Sequence, residues 1–223
     1  MALTFELSKV ETPVIRERMV SHLLNIDEGL AETVAEKLGI RKLPKKADAA
    51  VAPRDDLPAS DALSIVKNGP DSFAGRKVGV LVSDGCDAGI VKKLAAALKK
   101  EGAMMEIVAP KVGGVEAADG TFIEGQQMID GGPSVLYDAV ALIVSPEGAE
   151  KLTKEATARD FVADAFAHCK FIGHVEAAQP LFDKAQVELD EGFIELGSAA
   201  GIASFIESCR KLRLWAREPK VKL

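Results

Sequence analysis

Apolar residues along this chain change their spacing twice. Between residues 12 and 39 they recur three and four apart, as Ile15, Met19, Leu23 and Leu24, then as Leu30, Val34 and Leu38. That spacing lines one face of a helix. Thr12-Pro13 marks the first start, with Thr as N-cap and Pro at the first helical position, where its missing N–H costs nothing. Asp27 precedes the second helix, and Gly39 supplies the left-handed residue that ends it. Helices this short are marginal alone in water. Two of them bury little against each other, so both are expected to lie on a larger surface.

From Ile40 to Arg76 the periodicity dissolves. Pro44, Pro53, Pro58 and Pro70 interrupt a stretch rich in Ala, Asp and Lys. Prolines at this density favour extended chain and block helix. A structureless connection this long is unusual inside one compact domain, so the segment reads as a linker. Leu57, Leu63, Ile65 and Val66 are expected to pin it along a surface.

After Arg76 short apolar runs alternate with helical spacing. Lys77–Val82 (KVGVLV), Met104–Val108, Asp138–Val144 (DAVALIV), Lys170–Val175 (KFIGHV) and Phe193–Leu196 read as strands. Ile90, Leu94, Ala95 and Leu98 form a helix closed by Gly102. Two helical stretches flank Thr157, and a last helix is expected from Gly201 to Arg217. Asp119-Gly120 between VEAA and TFIEG signals a hairpin. The alternation argues an α/β fold with a doubly wound parallel sheet, covered on both faces. Ligands in such sheets bind beyond the C-terminal strand ends. Those ends are Ser83–Asp87, Ser145–Gly148 and His174–Gln179.

Composition narrows the chemistry. The net charge of −6 excludes a sequence-independent nucleic-acid binder, which needs a basic surplus. No run of about 18 apolar residues exists to span a membrane, and the first twenty residues lack the apolar core of a signal peptide. Cys86, Cys169 and Cys209 are too scattered for a disulfide framework or a zinc pair, which suggests a reducing, cytoplasmic setting. After the first strand, Ser83-Asp84-Gly85-Cys86-Asp87-Ala88-Gly89 has the wrong glycine spacing for a dinucleotide and puts two carboxylates where a pyrophosphate would sit. No P-loop and no His pair for a catalytic metal occurs.

The strand-end residues offer candidates for nucleophilic chemistry, each with a structural alternative. Ser145 before Pro146-Glu147 reads better as a helix N-cap than as a nucleophile. Cys86 lies between Asp84 and Asp87, whose charges raise its pKa unless it sits at the following helix N-terminus. Cys169 and Cys209 read as small buried hydrophobes. His174 is either a general base or a satisfied structural histidine, and the second reading is favoured. Glu176-Ala177-Ala178-Gln179 after KFIGHV supplies no nucleophile. His22 and His168 read as solvent or packing residues on helices. Trp215 and Tyr137 have no aromatic neighbours in sequence on which to build a base-stacking surface. Arg210, Lys211, Arg213, Arg217, Lys220 and Lys222, against Glu207 and Glu218, read as dipole-compensating residues followed by a solvated tail. The residues alone thus describe an α/β domain without an assembled active site.

Two blocks carry a resemblance. FELSKVETPVIRERMVSHLLNIDEGLAETVAEKLGI (Phe5–Ile40) resembles the helical segment that ends the core of monofunctional haem catalases. FAGRKVGVLVSDGCDAGIVKKLAAALKKEGAMMEIVAPKVGGVEAADG, with GGPSVLYDAVALIVSPEGAEKL and ARDFVADAFAHCKFIGH, resembles the extra C-terminal domain of large-subunit catalases. The resemblance implies a helical segment (1–40), a Pro-rich linker (41–75) and a flavodoxin-like domain (76–223) similar to the class I glutamine amidotransferase and ThiJ/PfpI group. Enzymes of that group place a Cys at an elbow; here that region reads Val175-Glu176-Ala177. Asp84, Cys86, Asp87, Ser145, Glu147, His174 and Glu176 would then be a vestigial pocket. The family's haem, proximal tyrosinate and distal histidine belong to a preceding barrel. No residue here matches those roles, so this chain is expected to hold no haem and to be inactive towards peroxide. Implied partners are a catalase core within a homotetramer or, for the chain alone, itself or unfolded chains. Met1-Ala2 ahead of a mid-domain segment suggests an introduced start.

Overall fold

The computed structural model describes residues 2–54 and 56–221; Met1 and Lys222, both invoked above, lie outside them. The chain divides into two compact units, one up to residue 60 and one from residue 61.

Among its described residues the first unit holds three helices, α1 (Ala2–Ser8), α2 (Pro13–Leu23) and α3 (Glu28–Lys37). α1 escaped the sequence reading because its apolar residues are too few to show a period. Leu7 of α1 packs with Val20 and Leu23 of α2 and Ala31, Val34 and Ala35 of α3 in a small core. The expected stripe is therefore only partly right. Ile15 and Met19 stay exposed, because Ala31 and Ala35 let α2 approach α3 through Val20 and Leu23 instead. The helices thus bury apolar surface against one another, contrary to expectation. Thr12 makes no side-chain cap bond, whereas Asp27 Oδ1 accepts from the Leu30 N–H at 2.7 Å. Gly39, at φ +70°, closes α3 with the paired bonds of a Schellman motif: Ile40 N–H to Ala35 O (2.9 Å) and Gly39 N–H to Glu36 O (3.0 Å).

The expected pins of the linker do not hold. Leu57, Leu63, Ile65 and Val66 are 63–87% exposed. The backbone there is satisfied in local turns, such as Ser64 N–H to Asp61 O and Asn68 N–H to Ser64 O, so nothing drives those side chains onto a surface. The residue that anchors the stretch is Phe73, fully buried in the core of the second unit.

That unit is built on β1 (Lys77–Val82), β2 (Met104–Ala109), β5 (Gln127–Met128), β6 (Ala139–Ile143), β7 (Ile172–His174) and β8 (Phe193–Glu195). They lie in the order β5-β2-β1-β6-β7-β8, with every neighbouring pair parallel. Without the two-residue edge strand β5, this is the strand order of a flavodoxin-like sheet. The Asp119-Gly120 hairpin forms as expected, from β3 (Gly114–Glu116) and β4 (Phe122–Glu124) in antiparallel register.

Side chains alternate across the sheet, and both faces are buried. Val78, Val80 and Val82 join α4 (Ala88–Glu101) and α8 (Ala199–Arg210) on one side. Leu81, Val140 and Leu142 join α5 (Pro146–Leu152), α6 (Ala156–Ala167) and α7 (Gln179–Ala185) on the other. Gly79 has no room for a Cβ, because the Tyr137 ring lies against it. Tyr137 also has the aromatic neighbour that sequence proximity could not show, Phe161 at 6.3 Å between centroids.

Two helical boundaries differ from expectation. The break between α5 and α6 falls at Thr153–Glu155, so Thr157 lies inside α6. The last helix stops at Arg210, and Leu212 turns the chain at φ +65°. A 3-10 helix, Trp215–Lys220, follows. Lys211 and Lys220 are exposed, as a solvated stretch would be, but the three arginines are engaged. Arg210 pairs in two-pronged fashion with Glu101 (2.9 and 2.7 Å), and Arg213 donates to the Asp138 carbonyl at 3.0 Å. Arg217 is buried. Its guanidinium grips both oxygens of Asp190 (2.8 and 2.7 Å), donates to the Lys170 carbonyl at 2.6 Å, and sits 4.6 Å from the Phe166 ring centroid.

Breaking a buried pair leaves an uncompensated charge, at a cost of about 3–5 kcal/mol. Arg217→Ala is therefore expected to lower stability to denaturant by about that amount. Arg217→Lys recovers little, because an ammonium cannot make the two-pronged contact. Urea unfolding of both variants checks this.

Candidate functional site

The chain leaves β1 toward β2 on one side, and β6 lies on the other, so the strand order reverses between β1 and β6. A crevice opens beyond the carboxyl ends of strands at such a point. It is an open cavity of about 610 Å³, lined by Gly85, Asp87, Ile90, Ser145, Pro146, Val175 and Glu176 among others. The three strand-end loops singled out from sequence therefore meet.

The serine and aspartate side chains in those loops have structural occupations. Asp87 Oδ1 accepts from the N–H groups of Gly89 (2.7 Å) and Ile90 (3.1 Å), capping α4. Ser145, 6% exposed, caps α5: its Oγ accepts from Gly148 N–H at 3.0 Å and donates to the Asp84 carbonyl at 2.6 Å. Ser83, which the sequence reading passed over, donates or accepts across 3.3 Å to Ser145 Oγ and accepts from Ser145 N–H at 2.9 Å. Its signal was its place as the first residue of the SDGC turn. Gly148 is required there, since a Cβ would collide with the Ser83 hydroxyl.

Asp84 faces the β3–β4 hairpin. It accepts from Glu116 N–H (3.0 Å) and Lys111 Nζ (3.2 Å). The Glu116 N–H, with Lys111 beside it, holds the carboxyl below its ordinary range. Cys86 is 1% exposed. Burial pushes its thiol up, and the charges of Asp87 and Asp84 add to that. The sign matches the sequence argument, but burial is the larger cause. Cys169 and Cys209 are buried, as expected. Glu147 and Glu176 are exposed, the first in the opening turn of α5 and the second on the cavity wall.

His174 is not among the residues lining the cavity. Its ring stands edge-on to Phe182 at 5.2 Å and near Phe193 at 6.3 Å, and Nδ1 lies 3.3 Å from the Val175 carbonyl. The ring thus packs among aromatic side chains with one nitrogen engaged. Among the described residues, no group of three His, Cys, Asp or Glu side chains is placed to hold a metal. No described helix is long and apolar enough to cross a membrane.

Burial lowers the His174 pKa from 6.5, against a smaller upward pull from the Val175 carbonyl and Glu195. A folded value below the unfolded one means that folding favours the neutral ring. The contribution is full above the unfolded value and is lost as pH falls through the folded one. The urea midpoint is expected to fall between pH 7.5 and 5, with a shallower fall in His174→Gln.

Residues 74–219 match the C-terminal domain found in long catalases, and residues 1–38 match a family described as catalase-related immune-responsive. The chain is 60% identical over 224 residues to Catalase C of Rhizobium meliloti, covering 100% of this chain and 32% of that protein. It is 31% identical over 223 residues to Catalase HPII of Pseudomonas aeruginosa, covering 99% and 31%. Catalase-B of Dictyostelium discoideum is 30% identical over 227 residues, with 99% and 32% covered. The chain thus spans about a third of the length of these relatives. By its match over most of its length, it belongs to the family of C-terminal domains found in long catalases.

Proposed function

We propose that this chain is the C-terminal portion of a large-subunit catalase and that its role there is structural. The observation that carries this reading is coverage: all of this chain aligns with 32% of Catalase C of Rhizobium meliloti. In this reading the rest of the parent binds haem and converts hydrogen peroxide to water and oxygen, as a cytoplasmic homotetramer in oxidative-stress defence. Residues 1–40 close the catalase core, 41–75 link, and 76–223 form a domain related to the ThiJ/PfpI group. The strand-end cluster of Asp84, Cys86, Asp87, Ser145, Glu147 and Glu176 at the crevice is vestigial, with His174 packed outside its lining. Support comes from the polar groups themselves: Asp87 and Ser145 are committed to helix caps, and the Cys86 thiol is buried.

Deleting residues 76–223 from the parent enzyme is expected to lower its thermal inactivation midpoint by on the order of 5 °C, with turnover per haem at 25 °C unchanged. Loss of turnover at 25 °C would assign the domain to catalysis instead. The isolated chain mixed with haem is expected to show no stoichiometric Soret band.

A second reading, a protein-binding module, is favoured by one observation. Phe5, Val14, Ile15, Met19 and Ile26 expose apolar surface on the helical unit, and such patches mark interaction sites. In that case the chain suppresses thermal aggregation of a client protein at substoichiometric ratios, and removing residues 1–40 abolishes the effect. No suppression at excess rejects this reading.

A further inference from the structure

We draw no further inference here: the strongest candidate, the cavity of about 450 Å³ where Pro13 opens α2 and Arg41 and Lys42 follow α3, rests on a helix N-terminus and exposed basic side chains, and nothing in the structure points to what would occupy it.

Discussion

The α/β unit is governed by one constraint, that a parallel sheet must be covered on both faces. Strand β1 carries it most fully. Val78 and Val80 on one side and Leu81 on the other are all fully buried, so neither face tolerates solvent. Helices must then cross on both sides, and the strand order has to reverse somewhere. The reversal between β1 and β6 opens the crevice, so the crevice is a by-product of covering the sheet. A pocket at this place is consequently weak evidence of chemistry; the groups that line it must supply that evidence.

They supply architecture. Ser83, Ser145 and the Asp84 carbonyl form one hydrogen-bonded knot that ties the turn after β1 to the turn after β6. Asp87 is spent on the first turn of α4, and Asp84 on the hairpin that folds over the same end of the sheet. A nucleophile needs a free lone pair and a base beside it. The serine with the most suggestive position has given its oxygen to Gly148 and its proton to a carbonyl. The same residues that look like remnants of a site are those that hold its walls in place.

Much of the fold was legible because it rests on local rules. The strands of KVGVLV and DAVALIV, the caps at Asp27 and Ser145, and the left-handed glycines at Gly39 and Gly102 are dictated by neighbouring residues. What stayed hidden depends on partners far apart in the chain. Arg217 looked like one of many surface bases because Asp190 lies 27 positions away. Lys170 looked like the polar start of an apolar strand, and only the loop around Ser134 reveals that it is enclosed. Ile15 and Met19 satisfied helical spacing, yet the buried face was set by two alanines on α3. Which of the candidate residues reach the crevice, and whether each is free or already engaged, could be seen only from the packing.

The clasp made by Arg217 bears on the order in which the unit can be completed during synthesis. Every strand has been made once Glu195 has been added, yet Asp190 and the Lys170 carbonyl still lack their partner. A sheet assembled without the segment after α8 would hold the Asp190 carboxylate buried and uncompensated. Residue 217 therefore acts as a late seal, and a nascent chain halted between α8 and the seal would carry every strand and helix of the sheet without the bond that closes it.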